Sequence, residues 1–265
     1  MDHPAFGLRW WQWLFLVEGA PSVLLGFAVF AYLPNGPRTA RWLTPDEAEW
    51  LTSRLRAERA EDQRHGHVTL GQAFRSPRLL LLSLIYFLGV LGGYGLDFFA
   101  PTILAQAYPE VTTTVLGSIA AIPPLVTVPV MIFWGRSSDA RLEYRWHVAW
   151  PLFGFAAGLL LLCLRLPPGL VVAALSLCVA GRWCFIGPFW GLPTAMLTGT
   201  AAAGGIALVN SICNLCGQAG PVLVSWLASP SGGLETGLAV LAVIVVACGV
   251  IVVVFSARRP PVEHS

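Results

Sequence analysis

Residues 79–103 read LLLLSLIYFLGVLGGYGLDFFAPTI and contain one charged side chain, that of Asp97. The hydrocarbon core of a bilayer is about 30 Å thick, and about 20 apolar residues of α-helix are needed to span it. The segment meets that length, and its lack of polar–apolar alternation favours a helix in lipid over a strand of an outer-membrane barrel. It therefore predicts a transmembrane α-helix.

Six other segments are also long and apolar enough to span a bilayer, so the sequence predicts an all-α membrane protein with seven transmembrane helices. The predicted spans are residues 10–33, 79–103, 113–134, 148–164, 170–197, 201–227 and 235–255. The whole chain is 56% hydrophobic and 11% charged, against roughly 45–50% and 25% in soluble domains. This composition excludes an ordinary soluble enzyme, and a net charge of +2 gives no support to nucleic-acid binding.

Arginine positions predict the orientation, because the cytoplasmic connections of membrane proteins are enriched in basic residues. If the chain crosses the bilayer seven times, one side holds eight Arg in the first connection, three in the next and two in the tail. The other side holds only Arg9 and Arg165. The asymmetry predicts a multi-pass protein of the plasma membrane with its N-terminus outside and its C-terminus in the cytoplasm.

A long polar segment separates the first predicted span from the other six. Within it, Thr44 can cap a helix, Pro45 suits the first helical position, and Glu47 can complete a capping box. Apolar residues at helical spacing follow, which predicts a short amphipathic helix at the cytoplasmic membrane surface. We divide the chain into a single span (1–33), a cytoplasmic linker (34–77), a block of six helices (78–257) and a cytoplasmic tail (258–265).

Small residues inside the spans predict close helix packing. Glycines are paired at i, i+4 spacing, which lets helix backbones approach each other in lipid; the pairs are Gly89 and Gly93, Gly154 and Gly158, and Gly187 and Gly191. All six cysteines also lie within predicted spans. We interpret them as packing residues rather than as a disulfide framework.

Four segments together resemble the second half of a major facilitator superfamily transporter of the anion:cation symporter group, which includes tartrate, phthalate and hexonate permeases. Residues 11–19 (WQWLFLVEG) are similar to the family's sixth helix, and residues 94–104 (YGLDFFAPTIL) to the end of the seventh. Residues 135–139 (GRSSD) resemble the loop between helices eight and nine. The most specific segment runs from Pro188-Phe189-Trp190 to residues 205–212 (GIALVNSI).

The resemblance covers nearly the whole chain and implies that the seven spans correspond to helices six to twelve of the twelve-helix major facilitator fold, with residues 78–257 as the six-helix C-terminal half. The family's substrate-binding Arg and proton-coupling acids lie mainly in the other half, and nothing here matches them. We therefore expect an N-terminally truncated transporter whose isolated activity is doubtful, with a missing N-terminal half as its partner. Sequencing the DNA upstream of the Met1 codon tests this expectation.

The resemblance also implies substrate-binding residues. Asn210 corresponds to a helix-eleven Asn that contacts the organic anion, and Trp190 to the aromatic residue beside it. Tyr94, on the helix expected to line the cavity, and Asn214, one turn from Asn210, are weaker candidates. The alternatives are an interhelical hydrogen bond for Asn210, packing for Trp190, and either role for Asn214.

Two further groups are candidates for conformational control. The superfamily loop signature implies a gate in which Gly135, Asp139, Arg141 and Arg145 take part, against the alternative of a solvated loop that only fixes topology. Three ionisable residues lie inside predicted spans: Glu18, Asp97 and Arg182. A charge at mid-membrane costs about 2.5–3.5 kcal/mol even on the translocon scale, so each should face protein or water. We expect Arg182 either to pair with Asp97 or to attract an anion.

The predicted function is secondary active transport of a small organic anion, a carboxylate or sugar acid, by alternating access and coupled to a proton. No metal or cofactor motif and no nucleophile elbow appears, so an enzyme is disfavoured. A retinal protein needs a lysine, and the chain contains none. A heptahelical receptor and a non-transporting half that pairs with another membrane protein remain as alternatives.

Overall fold

The computed structural model describes residues 7–64, 71, 75–194, 199–228 and 233–256, and within these ranges it contains helices and no strand. Seven helical segments are long and apolar enough to cross a membrane, which confirms the prediction of an all-α membrane protein. The chain divides into two compact units, Met1–Gly66 and His67–Ser265.

The first unit begins with α1, Trp10–Tyr32, which is apolar along its length and carries Pro21 in its interior. A short 3₁₀ turn, Pro37–Thr39, leads to the polar helix α2, Pro45–Arg64. The ring of Tyr32 stacks on that of Trp42, with 5.6 Å between the centroids. The stacked pair fixes the path of the chain where it leaves α1.

The start of α2 has the predicted capping box. The Thr44 backbone N–H donates to Glu47 Oε2 at 2.9 Å, and the Glu47 N–H donates to Thr44 Oγ1 at 3.4 Å. Hydrogen bonds from the backbone and hydroxyl of Thr44 lower the pKa of the Glu47 carboxyl. Because the pKa is lowered on folding, this contribution to helix order is present above the ordinary pKa of Glu47 and is lost as the pH falls through its folded value.

In the second unit, the described residues from Pro77 onward form a bundle of eight helices. They are α3 (Pro77–Ala107), α4 (Thr113–Ala120), α5 (Ile122–Arg141), α6 (Arg145–Leu162), α7 (Pro168–Thr194), α8 (Gly199–Asn214), α9 (Cys216–Ala228) and α10 (Gly233–Ser256). Most helix ends agree with the predicted spans to within four residues, whereas α5 continues to Arg141, seven residues beyond the predicted end at 134. The predicted end of the fifth span, residues 195–197, lies outside the described residues.

Two of the predicted spans are each divided into two helices. The span at 113–134 is interrupted at Ala121, between α4 and α5. Pro123 and Pro124 lack the N–H groups that would bond to the preceding turn, so the helical ladder cannot continue unbroken through this point. The span at 201–227 is interrupted at Leu215, between α8 and α9, and nothing in the surrounding contacts explains that break.

Helix α3 lies at the centre of the bundle and packs against α7, α8, α9 and α10. Thiols reinforce this packing, since the Cys216 S–H donates to the Phe87 carbonyl at 3.0 Å and the Cys248 S–H to the Ile85 carbonyl at 3.2 Å. The other extensive interfaces join α6 to α7 and α10, and α5 to α7. Helices α3 and α7 therefore position most of the remaining bundle.

The interface between α6 and α7 depends on a close backbone approach at Gly181. A Cβ atom at this position would lie 2.5 Å from the Pro151 carbonyl oxygen and 2.7 Å from the Phe155 nitrogen, both in the backbone of α6. Of the predicted glycine pairs, Gly89 and Gly93 contact α7 side chains, and Gly158 approaches the backbone of α7. Gly187 was expected to do the same, but a Cβ there meets nothing within 4 Å, because it points away from the bundle.

We expect Gly181→Ala to destabilise the bundle by about 1–3 kcal/mol, the usual cost of overpacking a close contact. Gly187→Ala, in the same helix, is the matched control and should be neutral or slightly stabilising. Unfolding of both purified variants in mixed micelles, followed by circular dichroism, measures the difference. Equal stabilities would show that the backbones are not in contact at Gly181.

Candidate functional site

A cavity of about 570 Å³ opens between α3, α4, α5 and α7. Apolar and aromatic side chains form most of its wall, and two charged residues, Asp97 and Arg182, also line it. Pro101 on α3 and Pro123 and Pro124 on α5 also line it. Its volume is in the range of small-molecule sites.

Arg182 and Asp97 form an ion pair across the interface of α7 and α3, with Arg182 Nη1 donating to Asp97 Oδ2. The structure thus brings together two of the three predicted intramembrane charges. The side chain of Arg182 is 10% exposed, whereas that of Asp97 is 48% exposed. The third charge, Glu18, lies exposed on α1 in the first unit.

The shape of α3 makes room for the guanidinium. A Cβ atom at Gly93 would lie 2.5 Å from Cδ of Arg182 and would overlap its Nε, so only glycine leaves space for this side chain. The Arg182 Cζ atom also lies 5.4 Å from the ring centroid of Tyr94 and 5.2 Å from that of Trp183. These cation–π contacts hold the charge against aromatic faces.

The guanidinium has hydrogen-bonding capacity that its surroundings do not use. Its Nε atom is buried and has no hydrogen-bond partner in the part of the chain that the structure describes. A guanidinium presents five N–H donors in a planar fork that suits a carboxylate. The guanidinium thus retains donor capacity beyond its hydrogen bond to Asp97.

The predicted substrate-binding residues occupy three different environments. Tyr94 is partly exposed and lies beside the guanidinium. Trp190 belongs to an aromatic cluster, with its ring centroid 5.1 Å from Tyr86 and 5.5 Å from Phe189. Asn210 and Asn214 are exposed on α8, and the Asn214 Nδ2 donates to the Asn210 carbonyl at 3.0 Å. Of these four residues, only Tyr94 is in contact with the ion pair, and none lines the cavity.

The predicted gate residues lie around the connection between α5 and α6. Asp139 and Arg141 are exposed at the end of α5, and Gly135 is half-buried. Among the described residues, no ion pair joins Asp139 to an arginine. The Arg145 Cζ atom lies 5.1 Å from the ring centroid of Trp146. The charge contacts that the loop signature implies are therefore not formed between described residues in this conformation.

A different polar network joins α5 to α6. Glu143 Oε2 lies 2.8 Å from His147 Nδ1, and His147 Nε2 lies 3.1 Å from Ser137 Oγ. Glu143 also accepts from the Trp146 N–H at 2.8 Å, which caps the first turn of α6. From α5, the Trp134 Nε1–H donates to the His147 carbonyl at 2.8 Å.

Sequence reasoning missed this network, although one signal for it was present. Glu143 and His147 have i, i+4 spacing, and an acid just before a helix is a common N-terminal cap. Their link to Ser137 requires the turn at Leu142, where φ is +49°. A left-handed leucine has no signature in a single sequence.

We expect Glu143→Ala to destabilise the α5–α6 connection by about 1–3 kcal/mol, since it leaves the buried His147 ring and the helix N–H groups without their acceptor. Ser137→Ala removes a single hydrogen bond of the same network and should cost about 1 kcal/mol or less. Hydrogen–deuterium exchange of the α6 first turn in nanodiscs, read by mass spectrometry, compares the two. Faster exchange in Ser137→Ala than in Glu143→Ala would contradict the assignment of Glu143 as the cap.

The sequence of this chain is similar to those of several known transporters. A candidate tartrate transporter from Agrobacterium vitis is 36% identical over 99% of this chain and 61% of its own length. The inner membrane transport protein RhmT of Escherichia coli K12 is 33% identical over 92% of this chain and 56% of its own length. A quinolone resistance transporter of Acinetobacter baumannii is 32% identical over 89% and 54%, respectively. The chain thus spans between 54% and 61% of these three relatives.

The match to the family extends through most of the bundle. Residues 4–219 match the Major Facilitator Superfamily, a range that includes α1, the cavity and the ion pair. No solved structure matches the chain significantly. With seven apolar helices of spanning length and a family match over most of its residues, this multi-pass membrane protein belongs to the Major Facilitator Superfamily.

Proposed function

We propose that this chain takes part in secondary active transport of a small organic anion, a carboxylate or sugar acid, across the plasma membrane, by alternating access and coupled to protons. The observation that carries the proposal is the position of Arg182. This buried cation lies near the middle of the apolar helix α7 and lines the cavity. Because placing a charge inside the membrane costs free energy, such a residue is usually paired with another group or needed for function.

The chemistry of the cavity supports an anionic substrate. Among the described residues that line it, Arg182 is the one cation, and an arginine fork binds a carboxylate through two parallel hydrogen bonds. The apolar walls lower the local dielectric, which strengthens that attraction. The name of one relative, a candidate tartrate transporter, agrees with this interpretation.

We assign the remaining predicted residues to supporting roles. Tyr94 is proposed to hold the Arg182 guanidinium in position through its ring, and Trp190 is proposed to contact the anion from its aromatic cluster with Tyr86. Asn210 and Asn214 are proposed to contact the anion from α8, where both side chains are exposed. The α5–α6 connection, with Gly135, Asp139, Arg141 and Arg145, is proposed to act as the cytoplasmic gate.

Uptake of radiolabelled tartrate and gluconate into proteoliposomes tests the proposal. The chain is reconstituted alone and together with the separately expressed N-terminal half of a relative, because it spans only part of those proteins. Arg182→Gln should lower uptake about tenfold or more, since losing a charge-assisted hydrogen bond costs about 1.5–3 kcal/mol. Arg182→Lys should retain part of it.

The matched control is Arg165→Gln, which removes an exposed arginine outside the cavity and should leave uptake unchanged. Uptake by Arg182→Gln equal to that of the unaltered chain at every substrate concentration would refute the role of Arg182. Absence of uptake of either anion in both reconstitutions would refute the proposed substrate class.

We further propose an external N-terminus and a cytoplasmic C-terminus, on the strength of the arginine asymmetry. Cysteines introduced one at a time at Glu110, between α3 and α4, and at Ser53, on α2, probe the two sides. The background replaces the partly exposed Cys163 by Ser and keeps the five buried cysteines. A membrane-impermeant maleimide applied to intact cells should label Glu110→Cys and not Ser53→Cys. Labelling of Ser53→Cys and not of Glu110→Cys would show that the orientation is opposite to the one proposed.

A further inference from the structure

We infer that Asp97 carries the coupling proton, by giving up its place on Arg182 to the carboxylate of the incoming anion. The inference rests on the proposed function and names the residue that couples the two fluxes. It follows from three features of the site: which partner of the ion pair is held, which one faces the cavity, and what happens to a carboxylate left without a cation.

Arg182 is the held partner. Its guanidinium lies in the space left by Gly93 and against the rings of Tyr94 and Trp183, and nine-tenths of its side chain is buried. None of these contacts depends on Asp97. The cation therefore keeps its position when its carboxylate partner changes.

Asp97 is the replaceable partner. About half of its side chain is exposed and it lines the same cavity. Its Oδ2 accepts from Arg182 Nη1, one of the guanidinium groups that an entering carboxylate would use. Asp97 and the substrate thus compete for one donor set from the same open side.

Once displaced, the Asp97 carboxylate is left in an apolar cavity beside the negative charge of the substrate. Arg182 is then engaged by the substrate, and no other cation among the described residues that line the cavity is available to pair with the Asp97 carboxylate. It takes up a proton from water, forming an O–H bond on one carboxyl oxygen. When the anion leaves, the carboxyl releases that proton and returns to Arg182, so one proton moves with each anion.

Few other groups could take the proton at this position. The helices packed against α3 carry these titratable residues in the described ranges: Arg182, Cys178 and Cys184 on α7, Cys213 on α8, Cys216 on α9, and Glu235 and Cys248 on α10, while α4 carries none. Glu235 lies in the first turn of α10, and the thiols of Cys216 and Cys248 donate to carbonyls at Phe87 and Ile85. On α3 itself the nearest titratable neighbour is Tyr94. Arg182 is the only one of these groups in ion-pair contact with Asp97.

Calorimetric titration of the purified chain in nanodiscs with tartrate tests the inference without requiring transport. Between about pH 6 and 8 tartrate is fully ionised, since ordinary carboxyl pKa values lie near 4. Wherever Asp97 is ionised in the free protein, the tartrate Kd should rise roughly tenfold for each pH unit, because binding takes up one proton. Repeating the titration in buffers of different ionisation enthalpy should give an uptake of about one proton per anion.

Asp97→Asn mimics the protonated side chain and should bind tartrate at least as tightly as the unaltered chain at pH 6, with a Kd independent of pH. Glu110→Gln, which removes an acid outside the cavity, is the control and should keep the pH dependence. Binding by the unaltered chain with no proton uptake, or an unchanged pH dependence in Asp97→Asn, overturns the inference and leaves the transport proposal standing. No binding of tartrate or gluconate at any pH refutes the proposed substrate class, and the inference falls with it.

Discussion

The bundle depends on a charged pair that joins two of its membrane-spanning helices. Arg182 on α7 reaches Asp97 on α3, and these two helices contact most of the others in their unit. Because an unpaired charge inside the membrane is costly, the neighbouring sequence is constrained to accommodate the pair. A glycine leaves the space, two aromatic faces enclose the cation, and the surrounding wall stays apolar.

Hydropathy was sufficient to predict the helices, because lipid forces each spanning segment to satisfy its own backbone and to stay apolar over a fixed length. The break at Ala121 follows from the prolines beside it, whereas the break at Leu215 has no comparable local cause. Packing was less predictable. The glycine spacing identified close approach at Gly93 and Gly158 but also selected Gly187, which faces open space, since spacing does not say which side of a helix meets a neighbour.

The site was also predicted only in part, because a sequence pattern does not show which side chains meet in the folded protein. The free-energy cost of a charge inside the membrane indicated that Asp97 and Arg182 should face protein or water. They are 85 positions apart in sequence, however, so only the fold brings them into contact. The residues taken from the family resemblance, Asn210 and Trp190, lie outside the cavity that holds the pair. The network of Glu143 and His147 was missed because it depends on the left-handed turn at Leu142, and a leucine does not predict that conformation.

The interruption at Ala121 has a mechanical consequence. Helix α4 has only eight residues and contacts α3 and α5 sparsely, yet Leu116, Gly117 and Ala120 on it form part of the cavity wall. α5, in contrast, is anchored along α7. Pro123 and Pro124 remove two backbone hydrogen bonds beside this helix. One wall of the cavity therefore lies on a helix that few contacts and a weakened backbone ladder hold in place.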